Sequence, residues 1–161
     1  MIAYACPAMP RIGVISDTHG LVRPEALRAL RGSDLIVHAG DIGAPEVLET
    51  LRTIAPVVAI RGNNDRAPWA RDLPDTEVVE RAGHSLYVLH DVHELDLDPR
   101  AAGFDAVIAG HSHQPKIERR DGVLYLNPGS AGPRRFRLPV AVARLDVGAR
   151  GLEARILTLD V

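Results

Sequence analysis

The sequence predicts an α/β fold in which two mixed β-sheets pack face to face with helices outside. Three observations carry that expectation. In the first half, short apolar runs alternate with helix-patterned segments, the order that builds a parallel sheet with right-handed crossovers. The second half is strand-rich, with a hairpin signal at Asp121 and Gly122. The chain of 161 residues, 46% hydrophobic and 25% charged, is the size of one domain with a full core.

Residues 12–16 (IGVIS) read as a strand buried on both faces. Residues 24–31 read as a helix: Pro24 opens it, Glu25 lies in its first turn, Leu27 and Leu30 share a face, and Gly32 stops it. Residues 35–38 form the second strand. Residues 45–53 form a second helix, with Val47, Leu48 and Leu51 at helical spacing and Pro56 beyond its end. Residues 57–61 give a third strand. Residues 76–80 and 86–90 pair around a turn at 82–84, and residues 106–109 form another buried strand. The crossover between them requires a short helix near residues 99–103. Residues 116–120 and 123–126 flank the Asp121-Gly122 turn, and residues 140–147 and 152–159 close the fold.

Composition narrows the function classes. A net charge of −2 gives no basic field to recruit nucleic acid or an anionic membrane, and 4% aromatic residues is too few for base-stacking platforms. Cys6 is the only cysteine, which excludes an intramolecular disulfide and a thiolate metal cluster. No apolar run reaches the ~18 residues of a membrane span. The beginning of the chain lacks the basic leader and apolar stretch of a signal peptide, so the cytoplasm is the expected compartment. Residues 1–161 are taken as one domain, with residues 1–8 as an extension outside the core.

The histidines stand out. Five predicted strands end in a residue able to bind a metal: 12–16 runs into Asp17 and His19, 35–38 into Asp41, 57–61 into Asn63, 86–89 into His90, and 106–109 into His111 and His113. Parallel α/β sheets gather their sites at the carboxyl ends of strands, so these side chains can converge. Gly40, Gly62 and Gly110 each precede one of them, where the backbone must turn tightly or approach an ion. Four imidazoles, two carboxylates and an amide are too many ligands for one ion. They suit two divalent transition metals: manganese first, with iron, cobalt, nickel or zinc as alternatives to it, and calcium and magnesium disfavoured.

DTH at residues 17–19, GD at 40–41, GNND at 62–65, His90 closing a strand, GHSH at 110–113 and NPGS at 127–130 together resemble the calcineurin-like metallophosphoesterases, in particular their small single-domain bacterial and archaeal phosphodiesterases. The resemblance spans most of the chain. It implies a four-layer αββα sandwich and a metal-dependent phosphodiesterase with a binuclear centre. Asp17, His19 and His113 would hold one ion, Asn63, His90 and His111 the other, and Asp41 would bridge them. A metal-bridging hydroxide would attack phosphorus in line, with Asp41, Asn63 and His90 in the catalytic set. Many relatives have a histidine where this chain has Asn64, and most have glycine where it has Asp91. An amide cannot protonate a leaving group, so good leaving groups are expected. His93 is a remote candidate for the missing acid.

Asp65 and His38 are expected to support the ligands from behind, and His84 to be a hairpin residue. Asn64 and Arg134, the latter clustered with Arg135 and Arg137, are candidate substrate contacts. A small phosphodiester is the expected partner, with no membrane; assembly with further copies of the chain stays open. The alternatives are a phosphomonoesterase or nuclease using the same site, or a protein-binding scaffold of the same fold.

Overall fold

The computed structural model describes residues 9–161; the extension expected at residues 1–8 lies outside the described residues. Two five-stranded sheets make up the fold. The first has the order β10-β9-β1-β2-β3, built from β1 (Arg11–Ile15), β2 (Leu35–His38), β3 (Val57–Ala59), β9 (Ala141–Gly148) and β10 (Gly151–Thr158). The second has the order β4-β5-β6-β8-β7, from β4 (Thr76–Arg81), β5 (His84–Leu89), β6 (Ala106–Ile108), β7 (Lys116–Arg120) and β8 (Val123–Asn127). Both are mixed: β1, β2 and β3 run parallel, as do β5, β6 and β8, while the outer pairs are antiparallel.

The period-2 alternation of each strand divides the apolar residues between layers. Ile12 and Val14 of β1 and Leu35 and Val37 of β2 face Val88, Ile108 and Leu126 of the other sheet. Ile15 and Ile36 point the opposite way, onto α1 (Pro24–Leu30) and α2 (Pro45–Arg52), which bury Ala26, Leu30, Val47, Leu48 and Leu51. Each helix opens on a proline in its first turn, where the missing N–H costs nothing, and carries an acidic residue at its start and an arginine at its end, matching the helix dipole.

The expected helix near residues 99–103 is not formed. Asp98 Oδ1 accepts from the N–H groups of Arg100 and Ala101 at 3.1 and 3.4 Å in the manner of an N-cap, and Ala102 N reaches Asp98 O at 3.0 Å, but Gly103 at φ 84° ends the segment after a single turn. The only helical element in this crossover is a 3-10 turn, Val92–Glu94. Among the described residues, the outer face of the second sheet is therefore covered by loop, with Val92 and Leu95 against Leu89, Val107 and Ala109.

This architecture brings the carboxyl ends of β1, β2 and β3 to the same edge as those of β5, β6 and β8. Cross-sheet hydrogen bonds lock them: His111 N donates to Asp17 Oδ2 at 3.0 Å, and the His90 Nδ1–H donates to the Ala39 carbonyl at 2.7 Å.

Candidate metal centre

Two clusters of ligand atoms form at that edge: Asp17 with His19 and His113, and Asp41 with His90 and His111, the donor atoms of each lying within 4.8 Å of one another. Asp41 Oδ2 reaches toward both, 3.3 Å from His90 Nε2 and 3.9 Å from His19 Nε2. Asn63 lines the same cleft as His90 and His111.

Backbone strain concentrates here. Of eight non-glycine residues with positive φ among those described, five are expected ligands: Asp17 (54°), His19 (47°), Asp41 (55°), His111 (68°) and His113 (61°). L-residues in this region each cost on the order of 1–3 kcal/mol, and such strain persists where the surroundings enforce it. The three glycines before ligands have a steric purpose. A Cβ on Gly40 would sit 2.7 Å from His90 Nδ1, one on Gly62 would overlap Asp41, and one on Gly110 would overlap Ser16 Oγ and Asp17 Oδ2. Each glycine makes room for a ligand from another strand.

The hydrogen bonding of Asp17 tests whether a metal fits. Its Oδ2 accepts from the Ser16 hydroxyl at 2.6 Å and from His111 N, while its buried Oδ1 has no hydrogen-bond partner and faces His113 Nε2 at 3.4 Å and His19 Nε2 at 3.9 Å. His19 Nε2 is likewise buried and unpartnered. Buried polar atoms are normally paired, so an anionic oxygen and an imidazole nitrogen left free and facing one another suit a cation. His90 is similarly poised: with Nδ1–H on Ala39, its Nε2 faces Asp41 and lies 3.3 Å from His111 Nδ1.

The electrostatics keep both carboxylates ionised. Burial pushes Asp17 upward, but His113 and Ser16 outweigh it and hold its carboxyl below the usual range. Burial also opposes ionisation of Asp41, and His90 with the Asn64 N–H overcomes it, leaving that carboxyl well below the ordinary carboxylate range. His90 is the counterpart: burial lowers it, yet Asp41 and the Ala39 carbonyl raise it to about 9.

The supporting residues sort themselves by contact. Asp65 accepts three N–H groups, from Ile42 and Gly62 on Oδ2 and from Gly43 on Oδ1, and so ties the Asp41 loop to the Gly62 loop. His38 is fully buried. Thr18 Oγ1 donates to Ile42 O at 2.8 Å and so accepts from His38 Nε2 at 3.0 Å, while Gly40 N donates to His38 Nδ1 at 3.2 Å. Protonated Nδ1 would face a donor. Burial pushes this histidine down to about 4 against the opposing pull of Asp17 and Asp65. Between pH 6.5 and 4 the unfolded chain therefore binds a proton that the folded chain refuses. Stability from this group is complete above pH 6.5 and is lost as pH falls toward 4, by about 3 kcal/mol in all. Urea unfolding of wild type and His38→Gln across this range should show the steeper acid loss in wild type; parallel curves would contradict it.

Asn64 is turned onto Asp41, its N–H and Nδ2 donating to Oδ1 and Oδ2 at 2.9 and 3.0 Å. The Arg134 guanidinium donates to the Val161 carbonyl at 3.0 Å on an exposed surface. His84 bonds Gly148 O, as a structural histidine. Three supports escaped the sequence reading. Ser16 fixes one oxygen of Asp17. Asn127 Nδ2 donates to Gly110 O and Ser112 Oγ at 2.9 and 3.0 Å, and Ser130 Oγ donates to Asp17 O at 2.9 Å, so the NPGS segment braces both metal-binding loops. Asp91, the residue that replaces glycine, caps the 3-10 turn with Oδ1 and brings Oδ2 to 3.7 Å from His111 Nε2.

Two mixed sheets with paired Asp/His clusters at the strand ends define a metal-binding phosphoesterase architecture. The chain belongs to the calcineurin-like phosphoesterase superfamily, whose domain model matches residues 10–150. It is 37% identical to a probable metallophosphoesterase of Methanothermobacter thermautotrophicus, covering 91% of each chain. It is 28% identical to a phosphodiesterase of Methanocaldococcus jannaschii, covering 74% of this chain and 82% of that one. A solved archaeal phosphodiesterase superposes with a TM-score of 0.75 at 25% identity, over 91% of this chain and 99% of the other. The vacuolar protein sorting 29 protein of Cryptosporidium parvum shares the fold, with a TM-score of 0.73 at 19% identity over 96% of this chain and all of that one. The chain is thus a metallophosphoesterase, and no helix among its described residues is long and apolar enough to cross a membrane.

Proposed function

We propose that this protein hydrolyses small phosphodiesters at a binuclear centre, with Asp17, His19 and His113 on one ion, Asn63, His90 and His111 on the other, and Asp41 between them. The position of Asp41 Oδ2, within 3.9 Å of donor atoms on both sides, is the observation that carries this reading. Two divalent ions contribute +4 and the two carboxylates −2, leaving about +2, a charge that attracts a phosphate. These residues would hold divalent ions whose chemistry would be to lower the pKa of a bound water and to offset the charge that develops on phosphorus. Manganese is the first candidate, and the compartment is the cytoplasm.

The protein's own groups set the rest. Asp17 and Asp41 stay anionic through the neutral range, Asp65 fixes the spacing of the two central loops, and the strained backbones of Asp17, Asp41 and His111 hold their side chains in place before substrate arrives. Asn64 sits where an acid would serve the leaving group and can only donate a hydrogen bond. Substrates whose departing oxygen needs no proton are favoured. The Vps29 likeness, at 19% identity, is one of fold; the ligand positions filled here favour catalysis over a scaffold role.

Manganese-loaded, dialysed protein should retain close to two ions per chain and hydrolyse bis(4-nitrophenyl) phosphate well and an alkyl phosphomonoester poorly. Asn64→His should raise turnover of alkyl diesters by about tenfold or more relative to the aryl diester. Saturation at one ion, or preference for the alkyl monoester, would overturn the proposal.

A further inference from the structure

The loop-covered outer face of the second sheet opens beside the ligand cluster. A groove of about 420 Å³ lies there, within the size range of small-molecule sites. Val107, Ala109 and Tyr125 line its floor, Val92 its wall, and Asp91 and His111 stand at its mouth. Strand register places Glu118 opposite Tyr125 and Lys116 opposite Asn127, so β7 forms the far rim. Glu118 pairs with both cations of that rim, holding Lys116 Nζ at 2.9 Å and taking Arg120 through both carboxylate oxygens at 3.0 and 3.1 Å, while the Arg120 guanidinium lies 4.8 Å from the Tyr125 ring centre; with Asp91 at the mouth, two carboxylates face two cations. The groove therefore combines an apolar, partly aromatic interior with a charged lining whose formal charges cancel once Asp91 is counted.

On the other side of Asp91 and His111 lies a wider cleft of about 690 Å³ with a different character. Asp75, Glu94 and Asp96 line it, and its cation, Arg61, is tied to Asp75 at 2.8 Å. Two channels thus diverge from one centre, one acidic and one apolar.

We propose that the apolar groove seats one ester arm of the substrate, and that this arm is an uncharged aromatic group. The inference rests on the diesterase reading and narrows it to a substrate class. A phosphate held among the ligands projects two ester oxygens, and an uncharged ring gains by leaving water for the groove; the wider cleft also holds Tyr87 and Leu89, but sets them among the carboxylates of Asp75, Glu94 and Asp96. Tyr125 supplies a ring against which another ring packs edge-to-face or offset. Tyr125 stands two residues, a rise of about 7 Å, before Asn127, whose side chain braces the loop that carries His111 and His113.

Phenylphosphonate and methylphosphonate share an anionic head and differ by the ring, so their affinities for the manganese-loaded protein isolate the groove. Titration calorimetry should give at least tenfold tighter binding of phenylphosphonate. Tyr125→Ala should bring the ratio to within about twofold and leave methylphosphonate binding unchanged, while Tyr125→Phe should preserve it. Val92→Ala, on the opposite wall, should lower the ratio by about threefold and provides the test if Tyr125→Ala does not fold. Equal binding of the two phosphonates by the wild type, no binding of phenylphosphonate by protein that turns over aryl diesters, or an unchanged ratio in the folded variants would overturn the groove assignment. Failure to hydrolyse any diester would instead strike the proposed activity.

Discussion

Asp41→Asn should remove at least one ion and lower turnover by about a thousandfold or more, with the fold retained. The reasoning starts from charge. With the carboxylate gone, the site's net charge rises from about +2 to about +3, and the two cations lose the anion that offsets their repulsion. The second cost is in hydrogen bonding. Both oxygens of Asp41 accept from Asn64, so an amide in its place sets an NH2 group against a donor. Asp65→Asn is the comparison. It alters a residue that organises loops rather than touching an ion, and on the order of a 10–100-fold loss in metal affinity or activity is expected. Metal analysis, far-ultraviolet circular dichroism and turnover on both variants decide the matter. If Asp41→Asn kept two ions and near-normal turnover, the centre would be wrongly assigned and the scaffold reading would gain.

Strand ends were readable in the sequence because a parallel strand buried on both faces is a plain apolar run, and a glycine beside a ligand punctuates it. That is why β2 was predicted at its observed limits and why Asp17, Asp41, His90 and His111 were expected together. The sheet orders were not readable: β9 lies beside β1 across some 130 residues, and β8 inserts between β6 and β7, pairings decided by long-range packing. The missing helix near residues 99–103 has a local cause: Asp98 caps its start, but the positive φ of Gly103 ends it within one turn. Asp91 shows another limit. Only the fold shows that a departure from the glycine of relatives places an oxygen near His111 Nε2. The hydrogen bond from Arg134 to the Val161 carbonyl, 27 residues away, is equally invisible in the sequence.

Gly62→Ala should cost at least a hundredfold in turnover and remove the second ion first, although it deletes no ligand and changes no charge. Gly62 lies against Asp41, and its own N–H donates to Asp65 Oδ2 at 2.9 Å. A methyl group there would overlap the Asp41 backbone nitrogen and Oδ1, with Asp41 Cα 2.9 Å away. Backbone atoms cannot rotate aside as the tip of a flexible side chain can. Either the Asp41 loop or the loop carrying Asn63 and Asn64 must therefore move, and in the proposed centre those two loops would present the bridge and one ligand of the second ion. Overpacking of this kind usually costs about 1–3 kcal/mol of stability. The fold should survive, because the overlap lies at the sheet edge rather than in the inter-sheet core. The loss of function is larger than the loss of stability because a displacement of about 1 Å at a reacting centre costs about a hundredfold by itself. Paired measurement of unfolding free energy and bound metal separates the two. A folded Gly62→Ala protein holding two ions at wild-type turnover would show that the close approach of these loops does not set the spacing of the centre.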